Sequence, residues 1–365
     1  MKEDSLIRVL IADDSALMRN LITRLLSKAP DIVVAATARD GEDAIRKAIE
    51  LKPDVVTMDI NMPKLDGISA MQMILGERIC PVIMFSSLTH QGAIETLECL
   101  ELGAFDYVAK PDGTVSANLD GVARDLIAKV RAAAASGQVK RARPRLAPPA
   151  RRPAAPAPAP SGLMRAVAIG ISTGGPATIS TVLPYLSADF PAAIFLVQHM
   201  PAAFVGAFVS RLQKECAIQV HLAEAGGVVR PGCCYVAGND LHLCVYRKGS
   251  GEVVLRTPSQ PRTLFVPGVD VMMESVLAVY GAKTIGVLMT GIGDDGAEQM
   301  VNIRNAGGVT IAESQESCVV FGMPCQAIKR GGAEFVLPSW KIADKLRSTV
   351  AGGAMRRSER QEAYL

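Results

Sequence analysis

Short runs of apolar residues recur along this chain, and stretches with helical spacing lie between them. Arg8 to Ala12, Ile32 to Ala36, Val55 to Met58, Val82 to Phe85 and Phe105 to Ala109 are each too short to cross a membrane and have the length of a buried strand. Between them, Leu17, Leu21 and Leu25, with Met18, Ile22 and Leu26, form an apolar stripe at helical spacing, and Ala44, Ile45, Ala48 and Ile49 form another. Strands alternating with helices in this way predict a parallel, doubly wound α/β sheet. The alternation resumes later, with strands over Ala166 to Ile169, Ala193 to Val197, Ile285 to Met289 and Val309 to Ala312. Helices are predicted over Ala177 to Leu186, Phe204 to Leu212, Val269 to Tyr280 and Ala297 to Ala306. Short strands with glycine turns between Val220 and Val254 predict a hairpin-like insertion in this second α/β domain.

The two halves are separated by a stretch of different composition. From Ala132 to Ser161 there are six basic residues, no acids and seven of the 22 prolines. Proline favours extended chain, and few large apolar groups are present to bury, so this stretch reads as a solvated linker. As a flexible coil it would span roughly 30 Å, and as extended polyproline-like chain up to about 90 Å. It also accounts for the overall charge of +3. Residues 1–131 carry 15 basic and 20 acidic residues, whereas 162–365 carry 18 and 16. A folded basic face for nucleic acid is therefore not expected. The polar start, Met1-Lys2-Glu3-Asp4, and the lack of a long apolar run argue against a signal peptide or membrane insertion. A cytoplasmic protein is expected, with its eight cysteines as thiols rather than bridges.

In the first half, the strand ends carry the chemistry. Asp13-Asp14, Asp59, Ser86 and Lys110-Pro111 each follow an apolar run. In an open parallel sheet such residues converge beyond the carboxyl ends of the strands. One aspartate there is ordinarily a helix cap. Three, Asp13, Asp14 and Asp59, repel one another unless a cation sits among them, and hard oxygen donors suit Mg²⁺. A carboxylate in such a site can accept a phosphoryl group, with Lys110 and Ser86 stabilising its charge.

The second half places Ser172 in Gly170-Ile-Ser-Thr-Gly-Gly-Pro176, a glycine-rich strand-to-helix turn. His199 follows another strand in Gln198-His-Met-Pro, and Asp294-Asp295 follows a third in Thr290-Gly-Ile-Gly-Asp-Asp-Gly296. Serine, histidine and acid at three strand ends are the parts of a nucleophilic hydrolase. The order Ser, His, Asp differs from that of the α/β-hydrolases, so a different sheet is expected. From the residues alone Asp294 rivals Asp295 as the acid. His221 and His242 read as strand-surface residues, and no cysteine–histidine spacing suits zinc. Amides near Ser172 and Thr173 are candidate oxyanion donors.

These motifs carry a resemblance. The stretch 7–131 resembles the receiver domain of two-component response regulators, through Asp13-Asp14, Met58-Asp59-Ile-Asn-Met-Pro63, Asp66-Gly67, Ser86 and Lys110-Pro111, with Tyr107 at the usual aromatic position. The resemblance implies a flavodoxin-like fold of strand order 2-1-3-4-5, phosphorylation of Asp59 by a chemotaxis histidine kinase, Ser86 and Lys110 as the switch, and Asn61 contributing its carbonyl to the Mg²⁺ site.

Residues 165–345 resemble the bacterial chemotaxis protein-glutamate methylesterases, through the motifs above, Val269-Asp-Val271 and Glu316 to Pro324. Domain limits of 7–131, 132–161 and 162–350 follow. The resemblance implies an esterase without a cofactor that acts on methyl-accepting chemoreceptors and also deamidates glutamine, with Ser172, His199 and Asp295 as its triad. It further implies that the unphosphorylated receiver gates the esterase. Val266-Pro-Gly268 lacks the arginine and serine usual before Val-Asp in this family. A DNA-binding output would instead need a helix-turn-helix with a basic face, and the second half offers none.

Overall fold

The computed structural model describes residues 6–111, 119–136 and 164–351. Most of the predicted linker, 137–161, lies outside the described residues. The chain divides into two units, each built on its own parallel sheet.

The first unit alternates strands and helices throughout. Its strands are β1 (Ile7–Ala12), β2 (Ile32–Ala38), β3 (Val55–Asp59), β4 (Val82–Ser86) and β5 (Asp106–Ala109). They pair in the order β2-β1-β3-β4-β5, all parallel, as expected. Its helices are α1 (Ala16–Leu26), α2 (Gly41–Leu51), α3 (Gly67–Gly76), α4 (His90–Leu102) and α5 (Leu119–Ser136). Each of the first four begins at a side-chain cap: Ser15, Asp40, Asp66 and Thr89 accept backbone N–H bonds from the first turn. In α1 the stripe buries Leu21, Ile22, Leu25 and Leu26, while Leu17 stays exposed. The Ala132 to Ala135 segment, expected to open the linker, is instead the last turn of α5. Alanine has the highest helix propensity, and Ala133 packs on the core, so the helix runs through it.

The second half of the chain carries β6 (Arg165–Ile171), α6 (Gly175–Ile179), β7 (Ala192–Gln198), α7 (Ala202–Glu215), β8 (Gln219–Leu222), β9 (Cys233–Val236), β10 (Cys244–Arg247) and β11 (Val253–Arg256). There follow α8 (Val269–Tyr280), β12 (Thr284–Leu288), α9 (Ala297–Asn305), β13 (Val309–Glu313), α10 (Met323–Lys329), β14 (Phe335–Leu337) and α11 (Ser339–Ala351). Its seven-stranded parallel sheet has the order β14-β13-β12-β6-β7-β9-β8. β10 and β11 form the expected antiparallel hairpin beside it. The predicted helix over Ala177 to Leu186 is shorter than its pattern: α6 ends at Ile179, and Leu183–Tyr185 is a separate 3₁₀ turn with Pro184 as its second residue. Leu183 and Leu186 are buried there all the same, so the apolar spacing reports burial rather than one continuous helix.

The core of this unit lies between the sheet and α8, whose Val269, Met272, Met273 and Val276 are fully buried with Leu288, Met300 and Ile303. A Cβ at Gly170 would stand 2.3 Å from Val269 Cγ1, so glycine lets β6 and α8 approach. The central strands β12, β6 and β7 end side by side, and this brings their C-terminal loops together. All eight cysteines are free thiols. No described helix is long and apolar enough to cross a membrane.

Candidate functional site

At the carboxyl edge of the first sheet, Asp13, Asp14 and Asp59 come together, with carboxylate oxygens all within 4.8 Å of one another. Asp13 and Asp59 are buried, and Asp14 faces solvent. Lys110 Nζ lies 2.8 Å from Asp59 Oδ1 and 3.1 Å from Asp13 Oδ2. Burial pushes the Asp59 carboxyl above its ordinary value, opposed by the Lys110 ammonium and reinforced by the charge of Asp13. Burial alone would lower the Lys110 value, but its two carboxylate partners raise it.

The backbone holds these groups in place. Ser15 N–H donates to Asp13 Oδ1 at 2.8 Å, and Arg19 donates to the carbonyls of Asp13 and Asp14 at 2.8 and 2.9 Å. A Cβ at Gly67 would lie 1.8 Å from the Asp59 carbonyl oxygen, so the loop after β3 closes only with glycine there. Asn61 is exposed on that loop. Ser86 ends β4 as expected, but its hydroxyl donates to the Gly92 carbonyl at 3.2 Å rather than to the acidic cluster. Lys129 Nζ stands 5.1 Å from the centroid of the Tyr107 ring. The arginine contacts and this lysine had no mark in the sequence beyond ordinary surface charge.

In the second unit, Ile171 of β6 pairs with Gln198 of β7. Ser172 and His199 are the next residue on each strand, which puts serine and histidine on neighbouring strand ends. Gln198 Nε2 donates to the carbonyls of Ser172 and His199, both at 3.0 Å, and so ties the two ends together. The turn after Ser172 needs its glycines. Gly174 has φ +76°, and a Cβ at Gly175 would lie 2.0 Å from Gln198 Oε1.

The imidazole of His199 is buried, with Nε2 2.9 Å from Asp295 Oδ2. Its Nδ1 is buried without a hydrogen-bond partner among the described residues. Asp295 Oδ2 also accepts the Val269 N–H at 2.7 Å, and Oδ1 accepts the Asp270 N–H at 2.9 Å. Burial works against the charge of Asp295, but His199 and these amides outweigh it and hold the carboxyl below its ordinary value. Asp294 points elsewhere: it is exposed and ion-paired with Arg330. Asp270 stands behind Asp295, and burial together with the Asp295 charge pushes it up to about 6.

Two expectations change here. The Ser172 amide donates to the Thr290 carbonyl at 2.9 Å, so it is not available to an oxyanion. The amides of Thr173 and Gly174 have no partner among the described residues. Thr290, in turn, donates its hydroxyl to the Thr173 carbonyl at 2.9 Å and accepts the Val320 N–H at 2.9 Å, pinning the serine turn from below. His221 is exposed on β8 as expected, but His242 is fully buried and bonded on both ring nitrogens. His242 is not on a strand: it follows the turn at Asn239-Asp240, and the loop from Pro258 to Gly268 folds back onto it. Sequence reasoning also missed Phe265, whose ring stacks on His199 with centroids 4.2 Å apart and planes 10° apart.

The family model for the CheB methylesterase matches residues 167–346, and that for the response regulator receiver domain matches 9–116. A protein-glutamate methylesterase/protein-glutamine glutaminase of Syntrophomonas wolfei is 55% identical over 347 residues, covering 93% of this chain and 98% of its own length. One from Thermotoga maritima is 41% identical over 346 residues, covering 94% and 98%. The crystal structure of the Thermotoga maritima CheB methylesterase catalytic domain matches with a TM-score of 0.50 and 38% identity, over 52% of this chain and all of that one. With both family models matched in order and such identity over almost the whole length, the chain belongs to the family of protein-glutamate methylesterase/protein-glutamine glutaminases, a CheB methylesterase joined to a response regulator receiver.

Proposed function

We propose that this protein is a phosphorylation-controlled serine esterase that removes methyl groups from glutamate γ-methyl esters on chemoreceptors in the cytoplasm. The observation that carries the reading is the His199 ring: Nε2 is committed to Asp295, and Nδ1 is buried and unpartnered, on a residue whose amide donates to the Ile171 carbonyl just before Ser172. Nδ1 takes the Ser172 proton as Oγ attacks the ester carbonyl. Asp295 fixes the ring and stabilises the imidazolium without taking its proton. The Thr173 and Gly174 amides receive the oxyanion. His199 then gives the proton to the leaving methoxide, which departs as methanol. Water, deprotonated by the same nitrogen, splits the acyl-enzyme and leaves glutamate. A glutamine side chain enters the same sequence with ammonia as the leaving group, which gives the glutaminase activity.

The receiver supplies control. Asp59 attacks the phosphorus of a phosphohistidine on the chemotaxis kinase, forming an aspartyl phosphate and releasing the histidine. The oxygen-rich cluster with Lys110 at its edge fits Mg²⁺, which would be held by Asp13, Asp14, Asp59 and the Asn61 carbonyl. When bound, it neutralises charge on the phosphoryl oxygens. Lys110 turns from the carboxylates to the phosphoryl group, and the Ser86 hydroxyl leaves the Gly92 carbonyl for it. The domain limits proposed are a receiver over 7–131, extended by the α5 turn, a linker to 161 and an esterase over 162–350. The direct test is methanol release from methylated receptor membranes, with and without acetyl phosphate. Release stimulated by phosphodonor is expected; absence of release under both conditions refutes the reading.

A further inference from the structure

We propose that Phe265 is a positioning residue for His199, held in place by His242 through the loop between Pro261 and Gly268. The inference rests on the esterase reading above. A hydrogen bond from Nε2 to Asp295 fixes one atom of the imidazole, and the Cβ fixes another. The ring can still pivot about the line joining them, and that pivot swings Nδ1, the atom that must meet the serine hydroxyl. A second ring stacked on the imidazole blocks the pivot. Phe265 does this, with centroids 4.2 Å apart and planes within 10° of parallel.

Phe265 sits on a loop that would otherwise be loose. Its neighbour Leu264 is 80% exposed, and Phe265 itself is only half-buried. The loop is braced at both ends by one side chain. His242 is fully buried. Its Nδ1 accepts the Gly268 N–H at 3.1 Å, so the ring proton is on Nε2, which donates to the Pro261 carbonyl at 2.8 Å. The His242 amide donates to the Pro258 carbonyl at 2.9 Å. Inside the loop, the Thr263 hydroxyl donates to the Phe265 carbonyl at 2.5 Å. The residue after Gly268 is Val269, whose amide holds Asp295. One braced segment therefore delivers both the stacking ring and the amide of the acid. Val266-Pro-Gly268 is the arm that joins them.

The experiment uses the full chain, phosphorylated with acetyl phosphate and Mg²⁺, with methanol release from methylated receptor membranes resolved into kcat and KM. Phe265→Ala is expected to lower kcat by about 30- to 100-fold with KM within about threefold, because misplacement of a reacting group is felt in the chemical step. Phe265→Tyr should return kcat to within about threefold of wild type. His242→Ala should lower kcat by about tenfold, and the double variant should be no worse than Phe265→Ala alone, as expected for two residues acting through one contact. If Phe265→Ala does not fold by circular dichroism, Phe265→Leu asks the same question with a side chain that fills space but cannot stack. An unchanged kcat, a loss that tyrosine does not recover, or additive losses overturn the proposal. Ser172→Ala is measured alongside. If it stays active, the esterase reading falls and this inference with it; if it is inactive while the Phe265 variants are unimpaired, only this inference falls.

Discussion

Asp59 and Asp295 are both largely buried carboxylates on loops beyond parallel strands, yet their surroundings push them in opposite directions. Asp59 is desolvated by burial, has one lysine to offset this and has the charge of Asp13 beside it, and its proton is held more tightly than usual. Asp295 receives two backbone amides and an imidazole, and it gives up its proton more readily than usual. The first arrangement leaves negative charge unsatisfied, which suits a group that attacks phosphorus and gathers a cation. The second satisfies the charge with fixed dipoles, which suits a group that must stay ionised and never react. The two sites show that burial alone does not set the direction in which a carboxyl is shifted; the balance between burial and its neutralising partners does.

The largest expected effect separates the two sites outright. Ser172→Ala or His199→Ala should reduce methanol release by about five to six powers of ten while acetyl phosphate still labels Asp59. Asp59→Asn should do the reverse, with no label and the esterase residues intact. Labelling that survives in Asp59→Asn would break the assignment of that carboxylate.

Next comes the acid. Asp295→Asn should cost about four powers of ten in kcat, because an amide presents a donor as well as an acceptor to the ring and permits the wrong tautomer. Asp294→Asn should change kcat by less than about threefold, since its partner is Arg330 at the surface. If the two variants exchange these outcomes, Asp295 is not the orienting acid.

A smaller effect tests how the units are coupled. The isolated catalytic domain of the Thermotoga maritima protein has been crystallised on its own, so a fragment beginning at Ser161 is a fair object. It should hydrolyse receptor ester about tenfold faster than the intact unphosphorylated chain, a modest shift between inactive and active populations. A folded fragment that is no faster would mean that phosphorylation activates rather than releases.

The two sites also differed in how much of them could be read from the sequence. In the receiver, Asp13, Asp14, Asp59 and Lys110 each follow an apolar run, so strand periodicity alone gathers them; Ser86 ends such a run too, but its hydroxyl bonds to the Gly92 carbonyl instead. Ser172 and His199 were legible for the same reason. The rest of the esterase site was not, because it is built from backbone. The amides of Val269 and Asp270 that hold Asp295 belong to no residue type, and neither does the Thr290 carbonyl that occupies the Ser172 amide. His242 lies on the loop before β10 and Phe265 on the loop after β11, neither with any periodicity, so no pattern marks their contacts. The C-terminal strand β14 has three residues and sits at the sheet edge, too short for alternation to show. Helix α10 begins at Met323-Pro324, where proline reads as a break although it fits the first helical turn.

The smallest effect sharpens the contrast between the two kinds of neutralisation. Asp270 lies behind Asp295, and its carboxyl is pushed from the ordinary 3.8 up to about 6 by burial and by the charge in front of it. The folded protein therefore binds this proton more tightly than the unfolded chain does. Its contribution is fully favourable below about pH 4 and is lost as pH rises toward about 6, leaving a charged pair of carboxylates at neutral pH. Asp295 acts with the opposite sign, and only below its ordinary value, so it does not offset the loss in this window. Asp270→Asn keeps the shape, the amide that donates to Asp295 and an oxygen for the Gln299 N–H, but cannot ionise. The variant should be more stable than wild type at pH 7, by about 1 kcal/mol after allowing for partial solvent exposure, or a few degrees in Tm. At pH 4 the two should melt together. Thermal melts across pH 4 to 7 check this. If wild type and variant keep the same separation throughout, Asp270 is already charged at acid pH, and the amides around Asp295 neutralise both carboxylates rather than one.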